Sequence, residues 1–518
     1  MKKMKSLLLG GMVLLFSVHA FAQSTAETAL LFGRVKPAGS ARIQAMGGAQ
    51  TSLGGDYSSG LSNPAGLGMF NRSEFTITPG LNVTKTSSDY LNNSSSDSKS
   101  NVNLPGLSLV FHSAKDKNGL LAGSFAISFS RVNTFTNDFN YSGRNSKNSI
   151  IDYFLYDATG LSPSSLKPGG DYFNNPTGLA YNNYLIEDST FFDPGASDRD
   201  YASVLGTFPN NPNDIRTVLQ AEDVKTSGKQ NQMSLSYGAN FIDKIFIGAG
   251  VGISTLRYET SKTYRESNFH FDLDPDFNPL STMELNENLK ISGSGINATL
   301  GIIARPIEML QLGLSFNTPT LYQLTDTYSA SMNTQWNNFQ YDSTNPPLNS
   351  VSEETDVVIS EYTLKTPGRL NLGATVFINE SGFISGDVEF VKYSGAKYSA
   401  QTSGISYTED NADIKNLYQS TVNYRLGGEY RYKKFRARAG GSFMPDPFKA
   451  EQNGINQNIT GVTGGLGYRG EHFYIDLAVI FSQGQTSYRP YSIPSAESPL
   501  VINNNKMTTA LVTLGFPF

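Results

Sequence analysis

The sequence predicts an all-β protein, a 14-stranded antiparallel transmembrane β-barrel plugged by a small N-terminal hatch. Three observations carry that prediction. From Ser73 onward, apolar residues alternate with small or polar ones in segments of about ten, the period-2 pattern of a wall with one face on lipid and one on a polar lumen. Short and long links alternate between those segments. The composition is aromatic and Gly-rich, with 49 Gly, 32 Phe and 27 Tyr against one Trp, and only 16% of residues are charged, a profile foreign to helical enzymes.

The elements follow in chain order. Lys2, Lys3 and Lys5 precede an apolar run from Leu7 to Val18, and Ala20-Phe21-Ala22 supplies a small-x-small cleavage site, so residues 1–22 are expected to be an export signal. An uncleaved anchor is disfavoured, because the run falls short of the ~20 residues a spanning helix needs. Removing the signal leaves 37 basic against 45 acidic residues, a net charge of −8. Nucleic acid is thereby disfavoured as a partner. With no Cys in the chain, disulfides, thiolate metal sites and a lipoprotein anchor are excluded.

Residues 23–72 do not alternate. They combine Gly47-Gly48, Gly54-Gly55, Gly60, Gly66 and Gly68 with Leu30, Leu31, Phe32, Leu61, Leu67, Met69 and Phe70. A flexible leader would not need those apolar side chains, so the segment is assigned as the hatch. The barrel, 73–518, is assigned strands near 73–84, 102–112, 120–132, 230–241, 244–258, 289–305, 309–320, 361–378, 383–393, 420–432, 435–443, 457–469, 471–483 and 506–518. The even count suits a bacterial barrel with both termini periplasmic. The third strand illustrates the pattern, with Phe125, Ile127 and Phe129 set against Ser124, Ala126, Ser128 and Ser130. Long links at 85–101, 133–229, 259–288, 321–360, 394–419, 444–456 and 484–505 are read as outer loops. The last strand ends Ala510, Val512, Leu514, Phe516, Phe518 on one parity, resembling a signal for the barrel-assembly machinery. A soluble sandwich or propeller lacks this alternation of link lengths.

Several residues carry candidate roles. In the 133–229 loop, Tyr153, Phe154, Tyr156, Tyr172, Phe173, Phe191 and Phe192 are candidates for a ligand-capture groove, or else form the loop's own core. Parity places Asp387, Glu389, Arg425, Glu429, Arg431, Arg436 and Arg438 in the lumen, with Arg369 nearby. Adjacent strands bring such charges within pairing distance, so a structural ion-pair network is favoured over an Arg that holds a ligand carboxylate. Gly248, Gly250 and Gly252 make room for the hatch. Pro79 and Pro105 each remove a ladder donor and mark bulges or a lateral break, and Gly123 is a further candidate for a kink. His112, His270 and His472 have no metal-ligand spacing and no nucleophile motif beside them, so no catalytic residue, metal or cofactor is assigned.

Gly39-Ser40-Ala41-Arg42, Gly47-Gly48-Ala49, the hatch motif Asn63, Pro64, Ala65 and Gly66 with Leu67, and Phe70-Asn71-Arg72 resemble the N-terminal hatch of the FadL/TodX/OmpP1 family of outer-membrane transporters for hydrophobic compounds. Leu312 to Phe316 with Thr318-Pro319, Thr366-Pro367 to Gly373, Gly386 to Phe390 with Lys392-Tyr393-Ser394, and Tyr424 to Tyr430 with Ala437 to Gly441 and Pro445-Asp446-Pro447 are similar to that family's later strands. The resemblance implies passive uptake of long-chain fatty acids or other hydrophobic small molecules. Capture in outer loops is followed by transfer to a lumen pocket and hatch-gated lateral release. It implies a monomer in the outer membrane, with membrane lipids and a hydrophobic small molecule as partners. A barrel scaffold or shuttle for protein secretion and a haem uptake receptor are the alternatives.

Overall fold

The computed structural model describes residues 25–117, 119–203, 205, 215–271, 278–402, 404–494 and 497–518. The predicted export signal lies outside them. Among the described residues the wall is a closed antiparallel barrel of 14 strands. They run, in order, Glu74–Tyr90, Asn93–Lys117, Leu120–Thr134, Ile215–Phe241, Ile245–Phe271, Leu280–Ile307, Leu310–Asn317 continued by Leu321–Phe339, and Val358–Lys365 continued by Arg369–Ile378. The remainder are Gly382–Lys392, Ser420–Tyr432, Phe435–Met444, Ile459–Arg469, Tyr474–Tyr488 and Val501–Pro517. The last strand pairs with the first, Glu74 opposite Pro517, so no edge is left unpaired.

Face assignments follow lipid contact. Phe125 and Ile127 are 40% exposed to the outside while Ser124, Ser128 and Ser130 are buried. Phe516 and Phe518 are exposed, whereas Leu511 and Thr513 point inward. A depression of about 940 Å³ over the eighth to twelfth strands belongs to this outer surface, being lined by lipid-facing Leu372, Leu426 and Phe443.

The long outer links are different from the prediction. Links 85–101, 259–288 and most of 321–360 are largely strand: the first hairpin continues to a turn at Leu91-Asn92, both with positive φ, and the fourth to sixth strands reach 27 or 28 residues. Above the membrane both faces of a hairpin meet water or polar neighbours. The Ser/Asn-rich run from Asn93 to Asn101 therefore pairs fully with Asn82–Tyr90 without an apolar face. Loop 133–229 contains a strand, Asn137–Asn145, and helices Ile150–Ala158, Pro163–Leu166 and Pro176–Asn182. Ser149 opens the first of these with a reciprocal capping box to Asp152. These helices bury Ile150, Phe154, Leu155 and Leu179 in one core with Leu185, Phe32, Tyr322, Leu324 and Trp336.

Among the irregularities in the described wall, two fall at prolines, on nearly opposite sides. Between the first and second strands the register shifts at Pro79, with Thr78 opposite Gly106 and Gly80 opposite Asn103 across from Pro105. In the seventh and eighth strands Pro319 and Pro367 interrupt both ladders at one level. There Thr320 N donates to Thr366 Oγ1 at 3.1 Å, Thr366 N donates to Thr320 O at 3.0 Å, and Thr318 N donates to Ala298 O at 2.9 Å. Proline supplies no donor, so each wall spans its gap through threonine side chains and neighbouring backbone. Sequence inspection marked the first break but not the second, and Gly123 is instead filled by Tyr237, whose hydroxyl stands where a Cβ would lie.

Candidate functional site

Residues 25–72 lie in the lumen and touch the wall all around. Helix Thr25–Gly33 leads through Arg34–Ser40 to short helices Ala41–Gln44 and Ser59–Ser62 and a 3-10 turn, Pro64–Met69. Asn63 Oδ1 accepts from Ala65 N at 3.2 Å, and its amide donates to Thr51 O at 2.6 Å, Ile302 O at 3.3 Å and Leu314 O at 3.4 Å. Space for this motif comes from wall glycines. A Cβ on Gly248 would stand 2.2 Å from Pro64, and one on Gly301 would stand 1.8 Å from Asn63 Oδ1. Gly250 and Gly252, predicted to share that task, lie against wall side chains of Ser236 and Gln232.

The lumen charges form two groups. Asp387 Oδ2 accepts from Gln50 N at 2.7 Å, Thr51 N at 2.9 Å and Thr51 Oγ1 at 2.8 Å, fixing the loop of the inner segment to the wall. Beside it, Glu389 Oε1 accepts from Asn423 at 2.7 Å and pairs with Arg425 at 2.9 Å. Lower down, Arg438 is buried between Glu429 and Asp476, 2.7 Å from each, while Arg431 pairs with Glu429 at 2.8 Å and Arg469 with Asp476 at 2.9 Å. Arg42 of the inner segment approaches Glu429 at 3.7 Å. Buried charges persist where each has a partner, and here the pairing also ties the inner segment to the wall. Arg436 corrects its expected place in this network. It sits two residues past the Lys433-Lys434 turn and curls back to donate to Lys433 O and Phe435 O at 2.7 and 2.8 Å. Sequence reading missed Arg42, Arg469 and Asp476, which only the closed register brings to the ring.

Above the first group lies a cavity of about 90 Å³ between the inner segment and the wall. It is lined by Phe32, Lys36, Gln50, Gln230, Asn317 and Thr366, and also by Pro367, Arg369, Glu389 and Arg425. Arg369 spends one donor on Gly33 O at 2.7 Å. Lys36 has no hydrogen-bond or ion-pair partner among the described residues. Burial, with the Arg34 guanidinium adding repulsion, pushes its ammonium down to about 8.

The loop aromatics divide rather than line one groove. Phe154 and Phe173 are buried, and Tyr172 donates to Asp157 at 3.1 Å. Tyr153 packs edge-on to Phe154 at 5.9 Å. Tyr156, Phe191 and Phe192 are exposed. Phe191 stacks on Tyr341 at 4.9 Å, and Tyr184 meets the same ring at 4.9 Å. Tyr341 lies in a distant link and was not singled out from sequence. No group of three or more His, Cys, Asp or Glu side chains among the described residues is placed to hold a metal ion.

A closed barrel with an internal segment, charge-pinned to the wall and leaving a small cavity, defines the architecture of a plugged β-barrel. Comparison with solved structures names the fold. A Pseudomonas aeruginosa FadL homologue superposes with a TM-score of 0.55 at 12% identity, covering 94% of this chain and 100% of that one. The P. putida toluene transporter TodX superposes with a TM-score of 0.51 at 13% identity, covering 92% and 97%. The chain therefore has the FadL/TodX-type barrel fold. No protein-family model matches it, and no curated protein matches it.

Proposed function

We propose that this protein is an outer-membrane channel for passive uptake of hydrophobic small molecules, long-chain fatty acids among them, with both termini periplasmic. The fold it shares with the FadL homologue and the toluene transporter supports that reading. The observation that carries it is the lumen cavity, which meets the wall at Thr366 and Pro367, where two adjacent ladders are interrupted. Exposed Phe191 and Phe192, with Tyr341, offer an apolar landing surface on the outer side. An apolar solute gains from moving between apolar surfaces without entering water. Release runs sideways past Pro319 and Pro367 into the bilayer when the inner segment shifts, and needs neither nucleotide nor ion gradient. The terminal strand ending at Phe518 serves recognition by the barrel-assembly machinery, and the barrel acts as a monomer.

The test exploits the absence of native Cys. Ser52 Oγ of the inner segment lies 2.7 Å from Thr375 Oγ1 of the wall. In Ser52→Cys/Thr375→Cys, reconstituted in liposomes, oxidation is expected to cut uptake of a fluorescent long-chain fatty acid by about tenfold or more, and reduction to restore it. Uptake that ignores the crosslink would overturn hatch gating.

A further inference from the structure

We propose that the lipid-facing side of the ninth to twelfth strands binds one anionic phospholipid, its acyl chain in the outer depression and its phosphate on the basic turn below. This goes beyond the uptake reading and takes from it only that the wall stands in a bilayer. The depression owes its depth to Gly386, Gly428 and Gly441, which put no side chain over the wall, while Leu372, Leu426 and Phe443 stand around them. Its volume of about 940 Å³ lies at the top of the range of about 300–1,000 Å³ typical of small-molecule pockets. In a bilayer an apolar hollow of that size takes hydrocarbon. Preference for one lipid over its neighbours then has to come from the head group.

The turn beneath the depression supplies that preference. Lys433 and Lys434 join the tenth and eleventh strands, and Arg436 follows. Glu429 and Asp476, the buried carboxylates at this end, are already shared among Arg42, Arg431, Arg438 and Arg469. Arg436 donates to the backbone at Lys433 O and Phe435 O, Lys433 lies over the Tyr432 ring at 5.5 Å, and Lys434 is exposed. None of the three forms an ion pair among the described residues, Glu380 and Glu471 of the neighbouring turns included. Positive charge is therefore left uncompensated here. Tyr430, Tyr432 and Phe435 are exposed on the outer face beside the turn, and outward aromatics at a strand end mark the level of lipid head groups. A phosphate at that level meets two ammonium groups and a guanidinium. Gly428 precedes Lys433 by five residues, which is ~17 Å along the strand and ~13 Å along the bilayer normal at a tilt of ~40°. One leaflet's chains reach that depth, about half of the ~30 Å hydrocarbon core.

The test extracts the full chain from vesicles of equal phosphatidylglycerol and phosphatidylethanolamine with the same acyl chains, and weighs the retained lipid by native mass spectrometry. Wild type is expected to retain a single lipid, phosphatidylglycerol over phosphatidylethanolamine by about tenfold. Lys433→Gln/Lys434→Gln is expected to lower that ratio to about twofold or less. Lys115→Gln/Lys244→Gln, the same change at two other short turns, is expected to leave it at the wild-type value. Gly386→Leu fills the depression, its Cβ meeting Leu426 at an ordinary 3.6 Å, and is expected to lower retention of both lipids severalfold at an unchanged unfolding midpoint. Equal retention of the two lipids by wild type overturns the site. So does a preference that survives Lys433→Gln/Lys434→Gln or falls equally in the control pair, retention indifferent to Gly386→Leu, or a dimer in place of bound lipid. None of the substituted side chains lines the lumen cavity, so failure of this site leaves the uptake reading standing, and uptake that ignores the hatch crosslink leaves this site standing.

Discussion

The two proline breaks lie six strands apart around the barrel and have opposite interiors. At Pro79 and Pro105 the lumen side is filled. Tyr57 is 1% exposed, its hydroxyl lies 3.1 Å from Thr78 Oγ1, and Thr78 Oγ1 lies 2.9 Å from Thr513 Oγ1. Gly106 has to be glycine there, since a Cβ would stand 1.9 Å from the Tyr57 hydroxyl. Leu67, Phe70, Val110 and Ala126 complete that seal. At Pro319 and Pro367 the inner segment meets the flanking residues, Asn317 donating to Leu61 O at 3.2 Å and Arg369 to Gly33 O at 2.7 Å, with Gly33 beside the Pro367 ring, and the cavity occupies the space behind. A missing ladder bond is therefore not itself an opening. What stands behind it decides whether the wall is a seam or a door.

The sealed side offers the strongest way to break this contrast. Tyr57→Ala removes a buried ring and one of the two hydroxyl partners of Thr78, so a loss of about 3–5 kcal/mol is expected, read as a lower unfolding midpoint in detergent. If the seal is what keeps that break shut, the variant also admits a small polar dye into liposomes that wild type excludes. An unchanged midpoint would mean that Tyr57 is not the seal.

On the open side the expected effect is on transport more than on stability. Pro319→Val with Pro367→Val restores two backbone donors and lets the interrupted ladders close. Uptake of the fluorescent fatty acid is expected to fall about fivefold, with the unfolding midpoint the same or slightly higher, because added ladder bonds contribute only about 0.5–1.5 kcal/mol each. Uptake at the wild-type rate would move the exit elsewhere in the wall.

Much of this was legible in sequence, and the reason differs from element to element. Strand number and facing could be read because lipid demands apolar side chains at every second position, as at Phe125 and Ile127. The outer hairpins could not, because Ser94 to Ser100 pair in register while presenting polar side chains on both faces. Asn63-Pro64 stood out as a local motif, and its docking on the wall follows from the Asn63 side-chain amide. The Glu429 and Arg438 pairing was accessible from parity within neighbouring strands, but Asp476 joins them from two strands further round. Lys36 carried no signal at all. Its lack of partners among the described residues is a property of the folded lumen and not of the residues around it in sequence.

The contrast between a filled and an open side extends above the membrane, where it becomes sensitive to pH. Over the sealed side, Tyr90, Phe139, Tyr141, Val224 and Val501 form a core around Glu222. Tyr141 and Tyr488 donate to that carboxylate at 2.7 and 2.9 Å. Burial pushes Glu222 up to about 7, partly offset by Lys262, and burial also raises Glu266. A carboxyl whose folded pKa exceeds its unfolded value contributes its full stability below the unfolded value, near 4.5, and loses it as pH rises toward 7. The outer hairpins on this side should therefore open more readily at pH 8 than at pH 5. Limited proteolysis of the intact barrel measures this, scored as the ratio of Glu222→Gln to wild type at each pH so that the protease's own pH response cancels. The variant is expected to match wild type at pH 5 and to be cut a few-fold more slowly at pH 8, since the amide keeps an acceptor for one tyrosine and never ionises. Glu266 retains its own titration, so the flattening is partial. Equal ratios at both pH values would mean that Glu222 ionises without strain, and that the sealed side owes its closure to packing alone.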